Sequence, residues 1–132
     1  SVLDLGTGSG ILSIAAKKLG AGNVDSVEHD SECEANFYEN LELNEIKEEI
    51  QFHNGDVLNW HQLNYDLIIA NLNQTVFQEL IPNFKGIKAI IIMSGILASD
   101  YNEISEICST NGLTISKQVL RSEWICIIIN PQ

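Results

Sequence analysis

Val2-Leu3-Asp4-Leu5-Gly6-Thr7-Gly8-Ser9-Gly10 opens the chain, and Ile11-Leu12-Ser13-Ile14-Ala15-Ala16-Lys17-Lys18-Leu19 follows it directly. The first segment is a short apolar run that closes on glycines at alternate positions, and the second carries apolar residues at helical spacing. Together they predict a buried strand over Val2–Leu5, a tight glycine turn and a helix over Ile11–Leu19, the opening of a nucleotide-type binding fold. Glycine suits such a turn because it tolerates positive φ and lets a ligand lie against bare backbone. The helix aims its unpaired N–H groups and the positive end of its dipole at whatever occupies the turn.

The spacing narrows the ligand. In the dinucleotide fingerprint G-x-G-x-x-G the last glycine supports close helix–strand packing; here the corresponding position is Ile11 and the third glycine is Gly10. Asp4 stands just before Leu5-Gly6. A carboxylate there repels a pyrophosphate and suits a ligand with an ammonium group, whose own carboxylate can use the helix N-terminus. An amino acid joined to a nucleoside, as in S-adenosylmethionine (SAM), meets both conditions. Asp4, Gly6, Thr7, Gly8 and Gly10 are therefore candidate cofactor-binding residues, with Thr7 and Ser9 also serving to keep the turn polar.

Strand and helix patterns alternate through the rest of the chain, which predicts a mostly parallel sheet with helices on both faces. Gly20-Ala21-Gly22-Asn23 ends the first helix, and Val24–Glu28 reads as the second strand. Asp30 or Ser31 caps a helix from about Glu32 to Asn44. A polar stretch, Glu45–Glu49, leads to a third strand at Ile50–His53 and an Asn54-Gly55-Asp56 turn. Asp66–Ala70 is a buried fourth strand ending at Asn71, and Thr75–Leu80 is a helix that stops near Pro82. Ile87–Ser94 is an almost wholly apolar fifth strand, as expected inside a parallel sheet. Ser99–Thr110 reads as a helix stopped by Asn111-Gly112. Leu113–Leu120 and Trp124–Ile129 read as strands joined by Arg121-Ser122-Glu123, too short a link for a parallel crossover, so this pair is antiparallel.

Three further positions carry chemistry. Glu28, at the end of the second strand, offers two acceptor oxygens to the vicinal hydroxyls of a ribose; Asp30 is the neighbouring candidate and suits a helix cap better. Asp56 sits after the third strand, in what is otherwise an ordinary Asn-Gly-Asp turn. Asn71 ends the fourth strand, where ligands bind in parallel sheets, so its amide faces the reaction centre as a positioning residue. Asn73 is either a second polar contact or a loop residue, and Trp124 reads as core or rim packing.

Composition bounds the function. The chain has 132 residues, 45% of them hydrophobic, and a net charge of −11 from 18 acids against 7 bases. That length gives one domain, 1–132, with a sizeable core. The acidity argues against nucleic acid, whose phosphates need basic contacts, and favours a basic protein partner or plain solubility. No apolar run reaches the length of a membrane span, so no membrane role and a cytoplasmic location are expected. Cys33, Cys108 and Cys126 form no close pair, and His29, His53 and His61 show no ligand spacing, so no metal and no disulfide framework is expected. Only Ser1 precedes the first strand, and the chain is expected to be a fragment of a longer protein.

A five-strand parallel core closed by an antiparallel hairpin resembles the class I SAM-dependent methyltransferases, a Rossmann-like sheet of seven strands. That resemblance assigns Asp56 to the adenine amino group, with Val57 packing beside the ring and offering its N–H. Many members carry prolines after an Asn or Asp at the fourth strand's end; Leu72 and Asn73 stand here instead, unlike the DNA and free-amide methylases. A closer likeness covers nearly the whole chain. Asp4 to Ala16, Ala70-Asn71-Leu72, Ser94-Gly95-Ile96-Leu97 after the fifth strand and Glu123-Trp124 are similar to the PrmA-type enzymes. Those enzymes trimethylate amines, Lys side chains and the α-amino group, on a ribosomal protein, and recognise it through an N-terminal domain absent from 1–132. Glu28 stands where they usually have Asp, which keeps the carboxylate, and Asn73 replaces a small or apolar residue. The resemblance implies SAM as cofactor and a basic, ribosomal protein as acceptor. Methylation of another protein or a small molecule, a non-catalytic SAM-binding module, and an NAD-dependent oxidoreductase domain are the competing readings.

Overall fold

In a computed structural model describing residues 1–46 and 49–131, the chain forms a seven-stranded sheet interleaved with α-helices. The elements run β1 (Val2–Leu5), α1 (Ile11–Lys18), β2 (Val24–Glu28), α2 (Glu32–Leu43), β3 (Ile50–Asn54) and β4 (Leu67–Asn71), followed by α3 (Gln74–Leu80), β5 (Ile90–Leu97), α4 (Tyr101–Thr110), β6 (Ile115–Arg121) and β7 (Trp124–Ile129). The strand order is β3-β2-β1-β4-β5-β7-β6. Strands β1 to β5 pair in parallel, while β7 runs antiparallel to both β5 and β6. The expected architecture holds, including the antiparallel ending.

β1 sits at the middle, paired with β2 on one side and β4 on the other, and all four of its residues are buried. The chain leaves β1 toward β2 and β3 and returns on the other side with β4, so the order reverses between β1 and β4. Ligands of α/β sheets bind at such a switch point, outside the carboxyl ends of the strands. Gly6 and Asn71 stand at those two ends.

Two cores flank the sheet. Phe37 and Leu41, one turn apart on α2, bury with Ile14 of α1 against Val2, Val24 and Ile50. On the other face Phe77 and Leu80 of α3 and Ile104 and Cys108 of α4 pack on Leu3, Leu5, Ile91, Met93 and Ile127. Each fully buried aliphatic or aromatic side chain contributes roughly 1.5–3 kcal/mol. The β5-β7-β6 half is less covered, with Ile90, Val119 and Trp124 exposed.

Most boundaries agree with the sequence reading to within a residue; β5, α4 and β6 differ by more. β5 begins at Ile90 and not Ile87: the Ile87 N–H closes a turn onto the Phe84 carbonyl at 3.1 Å, and the ladder with β4 starts at Leu67↔Ile90. β5 also runs past Ser94 to Leu97, so Ser94-Gly95-Ile96-Leu97 lies within the strand and not after it. Pairing with β7 carries it on, through a β-bulge between Met93↔Ile127 and Ile96↔Ile125. α4 starts at Tyr101 after a 3-10 turn at Ala98–Asp100, and β6 starts at Ile115. Of the polar stretch Glu45–Glu49, residues 47 and 48 lie outside the described residues, and Ile46 is buried. Asp30 does act at the start of α2, its Oδ1 accepting the Glu32 N–H at 2.9 Å.

Gly10 caps α1 at φ +85, and a Cβ there would lie 2.7 Å from the Phe37 ring. This glycine thus lets α2 close on the turn. Replacing it with alanine combines left-handed backbone strain with overpacking and should cost about 2–4 kcal/mol in a urea titration. Gly112 shares the positive φ, at +76, but opens on empty space, so Gly112→Ala should cost only about 1–2 kcal/mol. Equal losses at the two positions would contradict the packing role of Gly10.

Candidate functional site

The carboxyl ends of β1 to β4 enclose a cavity of about 310 Å³ lined by Gly6, Glu28, Asp56, Val57 and Asn71, with Leu72, Asn73 and Val76 completing one wall. Five residues that the sequence singled out on four separate strand ends therefore meet in one place. A larger cavity, about 660 Å³, lies between Tyr65 and Lys88, ahead of β4 and β5. It opens on the amino edge of the sheet, away from the glycine turn and from where α/β folds bind ligands.

Asp4 and Thr7 do not line the cavity; they lie behind the turn and are buried. The Thr7 hydroxyl donates to Asp4 Oδ2 at 2.7 Å, and the Ser13 hydroxyl donates to the same oxygen at 2.6 Å. Ser13 also meets Ser26 of β2 at 2.7 Å. Since the single Ser13 proton goes to Asp4, Ser26 is the donor in that pair. Asp4 Oδ1, by contrast, is the one buried side-chain polar atom without a hydrogen-bond partner among the described residues. An orphaned acceptor of this kind costs about 1–3 kcal/mol. Burial pushes the Asp4 carboxyl above its ordinary range, against the lowering effect of the Ser13 and Thr7 hydroxyls and with added repulsion from Glu28.

Glu28 is also buried, and most of its capacity is committed to backbone. Oε2 accepts the Gly8 N–H at 3.0 Å, while Oε1 accepts those of His29 at 2.9 Å and Asp30 at 3.0 Å. A carboxylate has about four acceptor positions, so the free one is on Oε2. The glycine turn is further pinned by Asn40 of α2, whose Nδ2 donates to the Ser9 carbonyl at 2.9 Å. Gly8 has nothing within 4 Å of where a side chain would begin, so its Cα faces open space, whereas Gly10 faces Phe37 and serves packing. Asp56 caps the 3-10 turn Val57–Asn59, taking the Leu58 N–H on Oδ1 at 2.9 Å and the Asn59 amide on Oδ2 at 3.1 Å. Asn73 caps α3 through the Val76 N–H at 3.1 Å.

Asn71 is exposed at the end of β4 and borders a second cavity of about 410 Å³. Ser94, Val119, Arg121, Trp124 and Cys126 line that one. The sequence alone gives Ser94 only as the end of the fifth strand and Trp124 as packing. Their place beside Asn71 follows from strand register, Asn71↔Ser94 across β4–β5 and Leu97↔Trp124 across β5–β7, which no local pattern displays. Among the described residues no group of His, Cys, Asp and Glu is arranged to hold a metal ion, and no helix is long and apolar enough to cross a membrane.

The family model for ribosomal protein L11 methyltransferase (PrmA) matches residues 1–132. This chain belongs to the PrmA family. It is 34% identical over 130 residues to the ribosomal protein L11 methyltransferase of Heliobacterium modesticaldum, covering 96% of this chain and 41% of that one. The L11 methyltransferase of Lactobacillus johnsonii is 37% identical over 132 residues, covering 98% and 42%. The crystal structure of ribosomal protein L11 methylase from Lactobacillus delbrueckii subsp. bulgaricus superposes with a TM-score of 0.92 at 32% identity, covering 99% of this chain and 69% of that one. The chain thus spans about two fifths of the length of the curated relatives it matches. More distant likenesses share the fold, among them the magnesium protoporphyrin IX methyltransferase of Synechocystis with bound SAM, at TM-score 0.78 and 18% identity.

The Asp4 carboxyl gives a pH signature. Its raised folded pKa means that the folded chain still holds a proton where the unfolded chain has lost it. Stability contributed by Asp4 therefore falls as pH rises from the ordinary value near ~3.9 through the raised one. Asp4→Asn lacks that loss, so its stability relative to the parent should improve as pH rises above about 4 and level off once the folded carboxyl is ionised, as read by urea titrations. Parallel stability curves would contradict the shift.

Proposed function

We propose that the chain is the SAM-binding, methyl-transferring part of an enzyme that N-methylates a ribosomal protein of the L11 type. The observation that carries this reading is the cavity at the switch point, where Gly6, Glu28, Asp56, Val57 and Asn71 converge. Family membership supports it and favours an adenosyl cofactor over a nicotinamide one. The net charge of −11 supports a basic protein partner through long-range steering.

The residues present fit SAM. The partnerless Asp4 Oδ1 is a buried negative acceptor behind the glycine turn, suited to the ammonium of the amino-acid end. The N-terminus of α1 suits its carboxylate. The open Cα face of Gly8 gives room for close approach. Glu28 retains an Oε2 lone pair for a ribose hydroxyl, a narrower role than holding both, since three backbone N–H groups already occupy it. Asp56 and Val57 suit the adenine amino group and ring.

SAM, when bound, supplies an electrophilic methyl group on a sulfonium. The chain's own task is then alignment and exclusion of water, because the leaving group is already activated. Asn71 borders both cavities, so its amide reaches a group entering from either side. The walls of the second cavity, Val119, Trp124 and Cys126, suit the aliphatic stem of an amine-bearing side chain. The acceptor amine must be neutral to attack, and among the described residues the second cavity, where it would enter, is lined by no carboxylate or imidazole, so its proton leaves to solvent.

Calorimetric titration tests the cofactor. SAM and S-adenosylhomocysteine should bind saturably and NADH should not; NADH binding, or binding of none, would overturn the reading. Asp4→Ala and Asp56→Ala should each weaken SAM by about tenfold or more, the range for a hydrogen bond to a charged group. Glu28→Gln should do the same with a smaller loss, since its amide keeps one acceptor oxygen. Transfer of radiolabelled methyl to purified ribosomal protein L11 should fall about a hundredfold in Asn71→Ala, more than SAM affinity does. SAM binding without transfer to any basic protein would point to a non-catalytic module.

A further inference from the structure

The reaction needs Asn71 to face its acceptor in one sense only. A neutral amine attacks with its lone pair and has N–H bonds to spare. An amide oxygen accepts one of those N–H bonds and leaves the lone pair free to point at the methyl group. An amide NH2 does the reverse, donating to the lone pair and blunting the nucleophile. Which end of the Asn71 side chain is presented therefore decides whether it helps or hinders.

We propose that Ser94 is the positioning residue that sets this orientation. The inference rests on the methyl-transfer reading above and adds a role that the glycine turn and the strand-end acids do not supply. Asn71 Nδ2 donates to Ser94 Oγ at 2.9 Å. The Ser94 hydroxyl in turn lies 3.5 Å from the Ala70 carbonyl, a long contact but one with a group that can only accept. The hydroxyl proton goes to Ala70, so Ser94 receives from Asn71 and holds its NH2 end. Asn71 Oδ1 is left as the free end, over Gly95, where a Cβ would stand 3.1 Å from it.

The backbone holds this pair in place. Asn71 and Ser94 are partners in the β4–β5 register, and the Leu72 N–H continues the ladder to the Ser94 carbonyl at 3.0 Å. Gly95 follows at φ +81, inside the β5 bulge, and a Cβ there would come within 2.7 Å of the Leu72 carbonyl. Only a residue without a side chain lets β5 press this closely on the end of β4. Ser94 also lines the second cavity with Asn71, so the pair sits where an acceptor would enter.

Sinefungin is the probe, because it carries an amine where SAM carries the transferable methyl and S-adenosylhomocysteine carries nothing. The readout is the ratio of sinefungin to S-adenosylhomocysteine affinity by calorimetry on this chain. The native chain should prefer sinefungin. Ser94→Ala should reduce that preference by about 2- to 10-fold, the range for one hydrogen bond, with S-adenosylhomocysteine affinity unchanged. Ser94→Thr, which keeps the hydroxyl, should restore it, and in an Asn71→Ala background Ser94→Ala should have no effect on the ratio. Thermal melts check that each variant is folded. A ratio unmoved by Ser94→Ala, or lost equally in Ser94→Thr, overturns the role of Ser94 while S-adenosylhomocysteine binding leaves the methyltransferase reading intact. If the native chain binds neither ligand, that reading falls and takes this one with it.

Discussion

The carboxyl edge of the sheet depends on one buried carboxylate. Asp4 Oδ2 gathers the hydroxyls of Thr7 from the glycine turn and Ser13 from α1, and Ser13 gathers that of Ser26 from β2. Four consecutive pieces of chain, strand, turn, helix and next strand, are thereby tied to a single oxygen. All the hydroxyl protons run toward it, and none turns to Oδ1. The network fixes the turn and at the same time leaves the other oxygen of the carboxyl, Oδ1, without a partner. Leaving one oxygen of that carboxyl unpaired in the interior is costly, about 1–3 kcal/mol. In the reading proposed above, an ammonium group on the ligand would return part of that cost on binding.

Glu28 and Asp56 follow the same economy of parts. Each is first a backbone device: Glu28 bridges the glycine turn to the exit of β2, and Asp56 caps the turn after β3. Their remaining acceptor capacity is what a ligand would use. Structural and binding roles are thus carried by the same oxygens, and the geometry of the cavity is set before anything enters it. Preorganisation of this kind suits a reaction in which alignment, and not acid–base chemistry, is the protein's main contribution.

The parts of this arrangement that the sequence displayed are the local ones. The run from Val2 to Leu19 shows strand, turn and helix because each is encoded within its own residues. The strand ends that carry or precede Glu28, Asp56 and Asn71 are legible because a strand end is a local event as well. The glycine spacing gives Gly10 to the ligand, whereas in the fold it faces Phe37, which arrives from α2 and leaves no mark near the glycine in sequence. Thr7 lies in the turn by sequence and behind it by structure. The largest miss was β5. Its mostly apolar run, Ile87 to Met93, carries no internal sign of where pairing starts, because that is fixed by Leu67, where β4 begins, and by Asp66 just before it. Its continuation past Ser94 depends on β7, which comes about thirty positions later.

The bulge in β5 joins the core to the site. Met93 and Ile96 are both fully buried on the same face of the sheet, although an odd spacing of three would place them on opposite faces of a regular strand. The additional residue resolves this, with Ser94 and Gly95 together opposing the single position Cys126 between Ile127 and Ile125. Were the strand regular, either Ile96 would leave the core or the hydroxyl of Ser94 would shift off the end of β4. The left-handed conformation that the bulge needs at Gly95 also removes the side chain that would collide with Leu72. Burial of Ile96, the close approach of β5 to β4 and the hydroxyl that meets Asn71 are therefore consequences of one inserted residue. The point where the two cavities meet is set by the packing of the hydrophobic core, and its chemistry is no more free to drift than that packing is.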